Sequence, residues 1–231
     1  MKISALTILA VLCLACLACA PKLPSSRLAA HETEKLLIKH GWDMPTVEWA
    51  VAHADELEAA PFHGVMLDSP LRDLVFQKER VTQEQAAAAL APYRRAGMGH
   101  GRYDFLLIFA NHPRSALNPP GVFSDWSPVF DNLRMVAEAA RDAGFYGLAF
   151  DDEPYFFNWL GWRECGTSCE LFEHYAQKYK ERGRELMQTL EAAWPGCRLL
   201  VFLGPWVSVD DSGDYRRDWL PFAGPFVAGM A

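Results

Sequence analysis

The sequence lacks the short motifs that identify nucleotide-binding and zinc-dependent enzymes. No G-x-G-x-x-G or Walker pattern follows any predicted strand, so nucleotide binding loses its main support. No H-x-H or H-E-x-x-H pattern occurs either. Basic residues are also few, since 22 Lys and Arg stand against 29 Asp and Glu, a formal net charge of −7. That balance argues against a nucleic-acid partner, and we expect neither a metal nor another cofactor.

Cysteine is scarce beyond the first 20 residues, where only Cys165, Cys169 and Cys197 occur. A C-x-x-x-C spacing without a second pair or a nearby histidine is a weak metal signal. An exported chain can form disulfides, and Cys165 and Cys169 lie close enough in the sequence to pin the loop between them. This pairing would leave Cys197 without a partner.

The first residues predict an export signal. Lys2 supplies a positive charge ahead of Ile3–Leu17, an apolar segment too short for a comfortable membrane span. The segment ends in Leu17-Ala18-Cys19-Ala20, which resembles the lipobox of bacterial lipoproteins, although Cys16 stands where that family usually has an aliphatic residue. The resemblance implies cleavage before Cys19 and acylation of its thiol.

This interpretation divides the chain into three parts. Residues 1–19 are predicted to be a lipoprotein signal peptide, residues 20–33 a tether, and residues 34–231 the folded domain. We expect the protein at the bacterial cell envelope, exported and lipid-anchored in the membrane through Cys19. Ordinary signal peptidase is the alternative, but its cleavage would leave Pro21 first, which that enzyme tolerates poorly. The sequence leaves the oligomeric state open.

Apolar runs alternate with amphipathic helical segments along residues 34–231. Five runs predict strands, at Lys35–His40, Phe62–Leu67, Asp104–Ala110, Tyr146–Phe150 and Arg198–Leu203. Four helices are predicted between them, from Asp43 to Glu58, from Thr82 to Tyr93, from Ser127 to the stop signal at Gly144, and over residues 168–194. Strand–helix alternation without hairpin signals predicts right-handed βαβ units and a parallel sheet.

The loops favour a barrel over an open, doubly wound sheet, which is the alternative architecture. Loops entering the second, fourth and fifth predicted strands are short, whereas those leaving the third, fourth and fifth are longer and rich in polar and aromatic residues. A (β/α)8 barrel of the TIM type builds its working face on that side. The chain ends after about five strand–helix units, in an apolar tail that reads as another helix. We therefore predict an α/β fold that is an incomplete TIM-type barrel, lacking its C-terminal part.

The segment Phe145–Pro154 carries the strongest functional signal. Its apolar run is typical of a buried parallel strand, and Asp151, Asp152 and Glu153 follow where that run stops. The carboxyl end of such a strand is where catalytic groups of α/β enzymes lie. These three acids are our candidate catalytic residues, and capping of a loop or helix is their plain structural alternative.

Asp152-Glu153-Pro154 resembles the Asn-Glu-Pro signature of a large superfamily of barrel glycoside hydrolases. In that superfamily the glutamate after the fourth strand is the general acid/base, and a glutamate after the seventh strand is the nucleophile. The resemblance implies that Glu153 donates a proton to the leaving sugar oxygen, and that Asp152 replaces the asparagine that contacts the sugar 2-hydroxyl. Asp68, Asp210 and Asp211 are the candidates in this chain for the second carboxylate.

Two longer stretches resemble an uncharacterised family of exported bacterial lipoproteins with a glycoside-hydrolase-like (β/α)8 barrel. They run from Gly41 to Val65 and from Gly147 to Tyr155, the latter continued by Asn158 and Trp159. The resemblance spans most of the mature chain and implies the barrel fold, but it lends no proven activity.

Sugars stack their C–H faces on aromatic rings, and five tryptophans fall on or beside the predicted strand-to-helix loops. They are Trp42, Trp126, Trp159, Trp162 and Trp206, of which two or three are assigned to substrate. The predicted substrate-binding residues, which are polar or aromatic and lie near strand ends, are Trp42, Asp68, Asn111, His112, Tyr155, Trp159 and Trp206.

Three readings of the function remain. The first is a glycoside-hydrolase-like protein acting on a carbohydrate, with Glu153 as general acid/base. The second is a non-catalytic glycan-binding lipoprotein or a truncated inactive fragment. The third is a metal-dependent hydrolase in which Asp151, Asp152, Glu153 and His112 gather around a divalent cation.

Overall fold

Five strands pair side by side, all in the same direction, in a computed structural model that describes residues 35–115, 121–162, 169–208 and 220–231. They are β1 (Ile38–Lys39), β2 (Gly64–Leu67), β3 (Phe105–Phe109), β4 (Gly147–Asp151) and β5 (Arg198–Val201), in the order β1-β2-β3-β4-β5. The sheet curls into a half-barrel. The predicted mixed α/β class and the parallel sheet are therefore confirmed.

Helices follow the strands along the chain. They are α1 (Val47–Ala52), α2 (Ala54–Ala59), α3 (Gln83–Arg95), α4 (Ser127–Ala143), α5 (Cys169–Ala193) and α6 (Ala223–Met230), with a 3₁₀ turn at Pro205–Ser208. The apolar tail forms α6, as predicted. The predicted signal peptide and tether, Cys19, Cys165, Asp210 and Asp211 lie outside the described residues, as does the side chain of Cys169.

One helix prediction is wrong. The segment predicted as a single helix from Asp43 to Glu58 is two short helices, with His53 between them at φ −120° and ψ 32°. The carbonyl of Trp49 lies 3.0 Å from the backbone N of His53 and 2.8 Å from its ring Nδ1. The backbone N–H of His53 makes the ordinary i→i−4 bond that ends α1, and the ring Nδ1 approaches the same carbonyl, a local side-chain contact that competes with continuation of the helix.

Side chains of the strands alternate between two apolar faces. On the outer face, Val65, Leu106, Leu148 and their neighbours join the main core under the helices. On the inner, concave face, Met66, Phe105, Leu107 and Ala149 form a second cluster. Burial on both faces explains why these strands read as continuous apolar runs rather than as alternating ones.

Two predicted helix boundaries are confirmed in atomic detail. The Thr82 hydroxyl accepts the N–H of Gln85, while the Gln85 side chain accepts the N–H of Thr82, so that a capping box begins α3. Gly144 ends α4 at φ 96°, a left-handed conformation that costs glycine little. Helix positions Val129, Leu133, Val136 and Ala140 are buried, as their spacing predicts.

Candidate functional site

The three acids of the predicted catalytic segment point in alternating directions. Asp151 is the last residue of β4, one residue beyond the predicted strand end, and it pairs with Phe109 of β3. A strand alternates its side chains, so Asp151 and Glu153 both reach the inner face of the half-barrel. Asp152 lies between them and turns to the outer side, where none of its surface is exposed.

Asp151 and Glu153 line one cavity of about 400 Å³ on the concave side of the sheet. Its wall combines inner-face strand residues with loop residues that follow the strands, namely His40, Gly41, Trp42, Met44, Arg72, Leu107, Phe109, Asp151, Glu153, Tyr155 and Phe202. Such a volume with mostly apolar walls and a few convergent polar groups is typical of a small-molecule site. Four of the predicted site residues therefore meet here, Trp42, Asp151, Glu153 and Tyr155.

Asp151 is almost completely buried, with 8 % of its surface exposed. Burial is the main cause that raises its pKa to about 6, and the nearby charge of Glu153 acts in the same direction. Its Oδ1 accepts the backbone N–H of Glu153 at 3.1 Å, which opposes the rise. Its Oδ2 has no hydrogen-bond partner within the part of the chain that the structure describes. Asp151 is thus a carboxyl group that changes charge near pH 6 inside the cavity.

Glu153 is half-buried, and its carboxylate accepts a hydrogen bond from the hydroxyl of Tyr155. Burial and this hydrogen bond raise the pKa of Tyr155, so its hydroxyl stays protonated. The Tyr155 ring meets that of Trp42 edge to face, with 6.0 Å between centroids. Trp42 is 91 % exposed, and the two rings form an aromatic rim at the cavity.

Arg72 faces the cavity while its nitrogens bind two carboxylates. Its Nη1 donates to Asp68 Oδ2 at 2.7 Å, and its Nε and Nη2 donate to Asp73 at 3.0 and 3.3 Å. Asp68 Oδ1 accepts the N–H of Ser69, and burial raises the pKa of Asp68 despite the neighbouring Arg72. Asp68, a predicted substrate residue, therefore contributes to the site through Arg72 rather than as part of the cavity wall.

Asp152 lies under the site rather than in its wall. Its Oδ1 accepts the N–H of Leu203 at 2.9 Å, which extends the pairing of the β4 segment with the β5 segment. Its Oδ2 is buried without a partner among the described residues, and burial raises its pKa to about 7. Trp159, with 1 % of its surface exposed, donates its indole N–H to the carbonyl of Asp152 at 3.1 Å. Both residues hold the loop after β4.

Asn111 and His112 also lie outside the cavity wall. The fully buried Asn111 accepts the N–H groups of Phe156 and Phe157 at Oδ1 and donates Nδ2–H to the Phe157 carbonyl. Its amide thus joins the end of β3 to the loop that carries Glu153. His112 approaches a carboxylate oxygen of Asp73 at 3.9 Å.

The remaining tryptophans divide by exposure. Trp126 is buried in the main core, and the partly buried Trp162 packs against that core through Phe172, Tyr175 and Phe222. Trp206 is 69 % exposed on the 3₁₀ turn and is not part of the cavity wall.

The described residues contain no group of three or more His, Cys, Asp or Glu arranged to hold a metal ion. Asp151, Asp152, Glu153 and His112 all belong to this described set, so they do not form the cluster that a metal-dependent hydrolase would need.

Cys197 is a free thiol whose burial raises its pKa to about 12. The predicted pairing of Cys165 with Cys169 stays a prediction, because their side chains lie outside the described part of the structure.

Several wall residues were not predicted from the sequence. Phe109 and Phe202 are inner-face positions at the ends of the third and fifth strands, and the two-residue alternation of a strand would have indicated them. Arg72 follows Asp68 by four residues, and its charge beyond a strand end was the available signal. His40 reaches the wall by packing edge to face on Phe202, with 4.6 Å between ring centroids.

Within the described residues, no helix combines the length and the apolar character needed to cross a membrane. Comparison of the chain with protein-family models, with curated proteins and with solved structures found no match.

Proposed function

We propose that this protein acts on a carbohydrate at the bacterial cell envelope as a glycoside-hydrolase-like protein, with Glu153 as its general acid/base. One observation carries the proposal: Asp151 and Glu153 line the same cavity at the carboxyl end of a parallel sheet, beneath an aromatic rim. That end of the strands is the working face of α/β barrels. We also propose that the half-barrel belongs to a (β/α)8 fold of the TIM type.

The two carboxyl groups have different roles in this proposal. Glu153 protonates the glycosidic oxygen as the bond between the anomeric carbon and that oxygen breaks. Asp151, once ionised above about pH 6, stabilises the positive charge that develops on the sugar ring. Glu153 then takes a proton from the water that attacks the anomeric carbon.

The proposed location depends on the leader. Acylation of Cys19 would tether the domain to the membrane through residues 20–33, and a carbohydrate of the envelope would then lie within reach of the site. Labelling with a radioactive or clickable fatty acid in a bacterial host tests this anchor, with Cys19→Ser as the control. Absence of label on the unaltered chain would contradict it.

The test of catalysis is Glu153→Gln in the full-length chain. Gln keeps the size and a hydrogen-bond acceptor for Tyr155 but cannot donate and recover a proton. We expect release of reducing ends from a panel of oligosaccharides to fall by at least about 100-fold while glycan binding persists. Glu56→Gln, an exposed position on α2, is the matched control and should behave as the unaltered protein. Unchanged turnover in Glu153→Gln would rule out its assigned role.

Glycan binding without hydrolysis is the second candidate. Asp151 and Glu153 come from the same strand end, two positions apart, whereas glycosidases place carboxyl groups on both sides of the scissile bond. A binding protein needs only the aromatic rim and the polar wall. Saturable binding of an oligosaccharide that is never cleaved by the unaltered chain would favour this reading.

A further inference from the structure

We propose that the cavity prefers an amino sugar, a glycan residue that carries a free ammonium group, over its N-acetylated form and over a uronate. This inference rests on the proposed function in that it takes the ligand to be a glycan. It goes further by naming the charge that the wall selects.

The charge on the wall is the first argument. Arg72 is the guanidinium among the wall residues, and its Nε, Nη1 and Nη2 all donate to Asp68 or Asp73. Two carboxylates thus already outnumber this cation before Asp151 and Glu153 are counted. A ligand in the cavity therefore meets an excess of negative charge at neutral pH.

Arginine is the usual partner of a carboxylate or sulfate on a ligand, because its planar fork binds both oxygens. In this protein that fork is occupied by Asp73, which holds Nε and Nη2 in the same two-point manner. A uronate would have to displace Asp73 or Asp68 and would then face Asp151 and Glu153. The geometry thus excludes an anionic sugar at this position.

An unsatisfied acceptor is the second argument. Asp151 is more than nine-tenths buried, and its Oδ2 has no hydrogen-bond partner within the described residues while the side chain faces the cavity. This oxygen is reached from the cavity, and a donor on a bound ligand would take the place of water there. An ammonium group offers three donors and a full positive charge, whereas an N-acetyl amide offers one neutral N–H.

The aromatic rim also favours a cationic ligand over an anionic one. The ring of Tyr155 lies 5.8 Å from that of Phe109 and 6.0 Å from that of Trp42, measured between centroids. Faces of such rings attract cations through their quadrupoles. A protonated amine that approaches Asp151 passes this rim, while a carboxylate gains nothing from it.

Titration calorimetry on the full-length chain tests the inference at pH 7 and low salt. The probes are oligosaccharides of equal length, made of glucosamine, of N-acetylglucosamine and of galacturonic acid. We expect the glucosamine oligomer to bind about tenfold more tightly than its N-acetylated counterpart, the equivalent of one charge-assisted hydrogen bond. The uronate should not bind measurably, and added salt should reduce the preference.

Asp151→Asn keeps an acceptor for the Glu153 N–H but removes the charge, so the preference for the free amine should disappear. Asp142→Asn, an exposed acid on α4, is the matched control and should keep it. Trp42→Ala should weaken the binding of both amino and N-acetylated oligomers. If Asp151→Asn does not fold, as judged by circular dichroism, Glu153→Gln serves in its place and should also reduce the preference.

The outcomes separate the two proposals. Equal binding of the amino and N-acetylated oligomers, or tighter binding of the uronate, would overturn the charge selection and leave the carbohydrate function standing. Retention of the preference in Asp151→Asn would also overturn it. Failure of every glycan to bind would remove both proposals.

Discussion

The backbone N–H of Glu153 donates to Asp151 Oδ1 at 3.1 Å, and this bond keeps two carboxyl groups on the same wall of the cavity. The intervening Asp152 points the other way and extends the pairing of the β4 segment with the β5 segment. One strand end therefore supplies both the chemistry of the site and its attachment to the sheet.

Asp151 should set the acidic limb of the pH profile. Its pKa is raised to about 6, so turnover by the proposed mechanism should rise as the pH increases through about 6 and Asp151 becomes ionised. Asp151→Asn should lower kcat/KM by about 100-fold and remove this limb. Values of kcat/KM measured from pH 4.5 to 8 on the unaltered protein and on Asp151→Asn test this. Other titratable groups of the cavity wall, such as His40, Arg72 and Glu153, are the same in both proteins. An unchanged limb in Asp151→Asn would assign it to another group.

Asp152 should make the fold less stable as the pH rises. Its pKa is raised from 3.8 to about 7, so the native state holds its proton where the unfolded chain loses it. The contribution of Asp152 to the free energy of unfolding is therefore greatest below about pH 4 and declines up to about pH 7. Asp152→Asn keeps an acceptor for the N–H of Leu203 but has no charge to gain as the pH rises. At pH 8 the variant should therefore have a free energy of unfolding about 2–4 kcal/mol higher than that of the unaltered protein.

Urea unfolding at pH 4 and pH 8 measures this difference. The gain from Asp152→Asn should be present at pH 8 and vanish at pH 4, whereas Asp142→Asn on the exposed face of α4 should show neither effect. An equal offset at both pH values would mean that the carboxyl does not titrate as inferred.

Asn111 should act as a positioning residue. Its amide makes three hydrogen bonds to the backbone of Phe156 and Phe157, just after Glu153. Asn111→Ala leaves these buried groups without partners and should cost about 3 kcal/mol of unfolding free energy. We expect kcat to fall with little change in KM, because the rim residue Trp42 is untouched. A KM effect alone would indicate direct contact with the substrate, as the sequence first predicted.

Asp104 and Arg102 form a buried ion pair just before the first residue of β3. Asp104, with no exposed surface, accepts Nε–H and Nη2–H of Arg102 at 2.9 and 3.1 Å, the N–H of Val65 at 2.8 Å and the hydroxyl of Tyr93 at 2.9 Å. Asp104→Leu leaves Arg102 buried and uncompensated, which should cost about 3–5 kcal/mol.

A double-mutant cycle checks this interpretation. Because Arg102→Leu also removes the unpaired charge, the double variant should be destabilised by less than the sum of the two single variants. Unfolding free energies from urea titrations give the coupling. Additive effects would show that the two side chains do not act as a pair.

Much of the fold was predictable because local signals and tertiary packing agree. The run Phe105–Phe109 is apolar on both faces, and both faces are in fact covered. Thr82 and Gly144 mark helix boundaries through bonds and dihedral angles that their own residue types favour. The break at His53 was not predicted, because it depends on how one ring approaches the carbonyl one turn earlier.

The site was predictable only in part. Residue types and the strand end indicated Asp151, Glu153 and Tyr155, and the exposed Trp42 joins them. Asn111 and Trp159 have the residue types of sugar-binding side chains, but the polar groups of both form hydrogen bonds to the backbone of the loop after β4. Whether a polar or aromatic side chain faces a cavity or fills its support depends on neighbours distant in the sequence.

The order of apolar runs and helices determined the parallel sheet by itself, since burial on two faces and short-range capping are encoded locally. The tertiary structure decided which acids share a cavity and that Arg72 is already engaged by Asp68 and Asp73. It also decided that Asp151 lies away from water. The free energy of a charge depends on everything within a few ångströms of it, and only the folded chain brings those groups together.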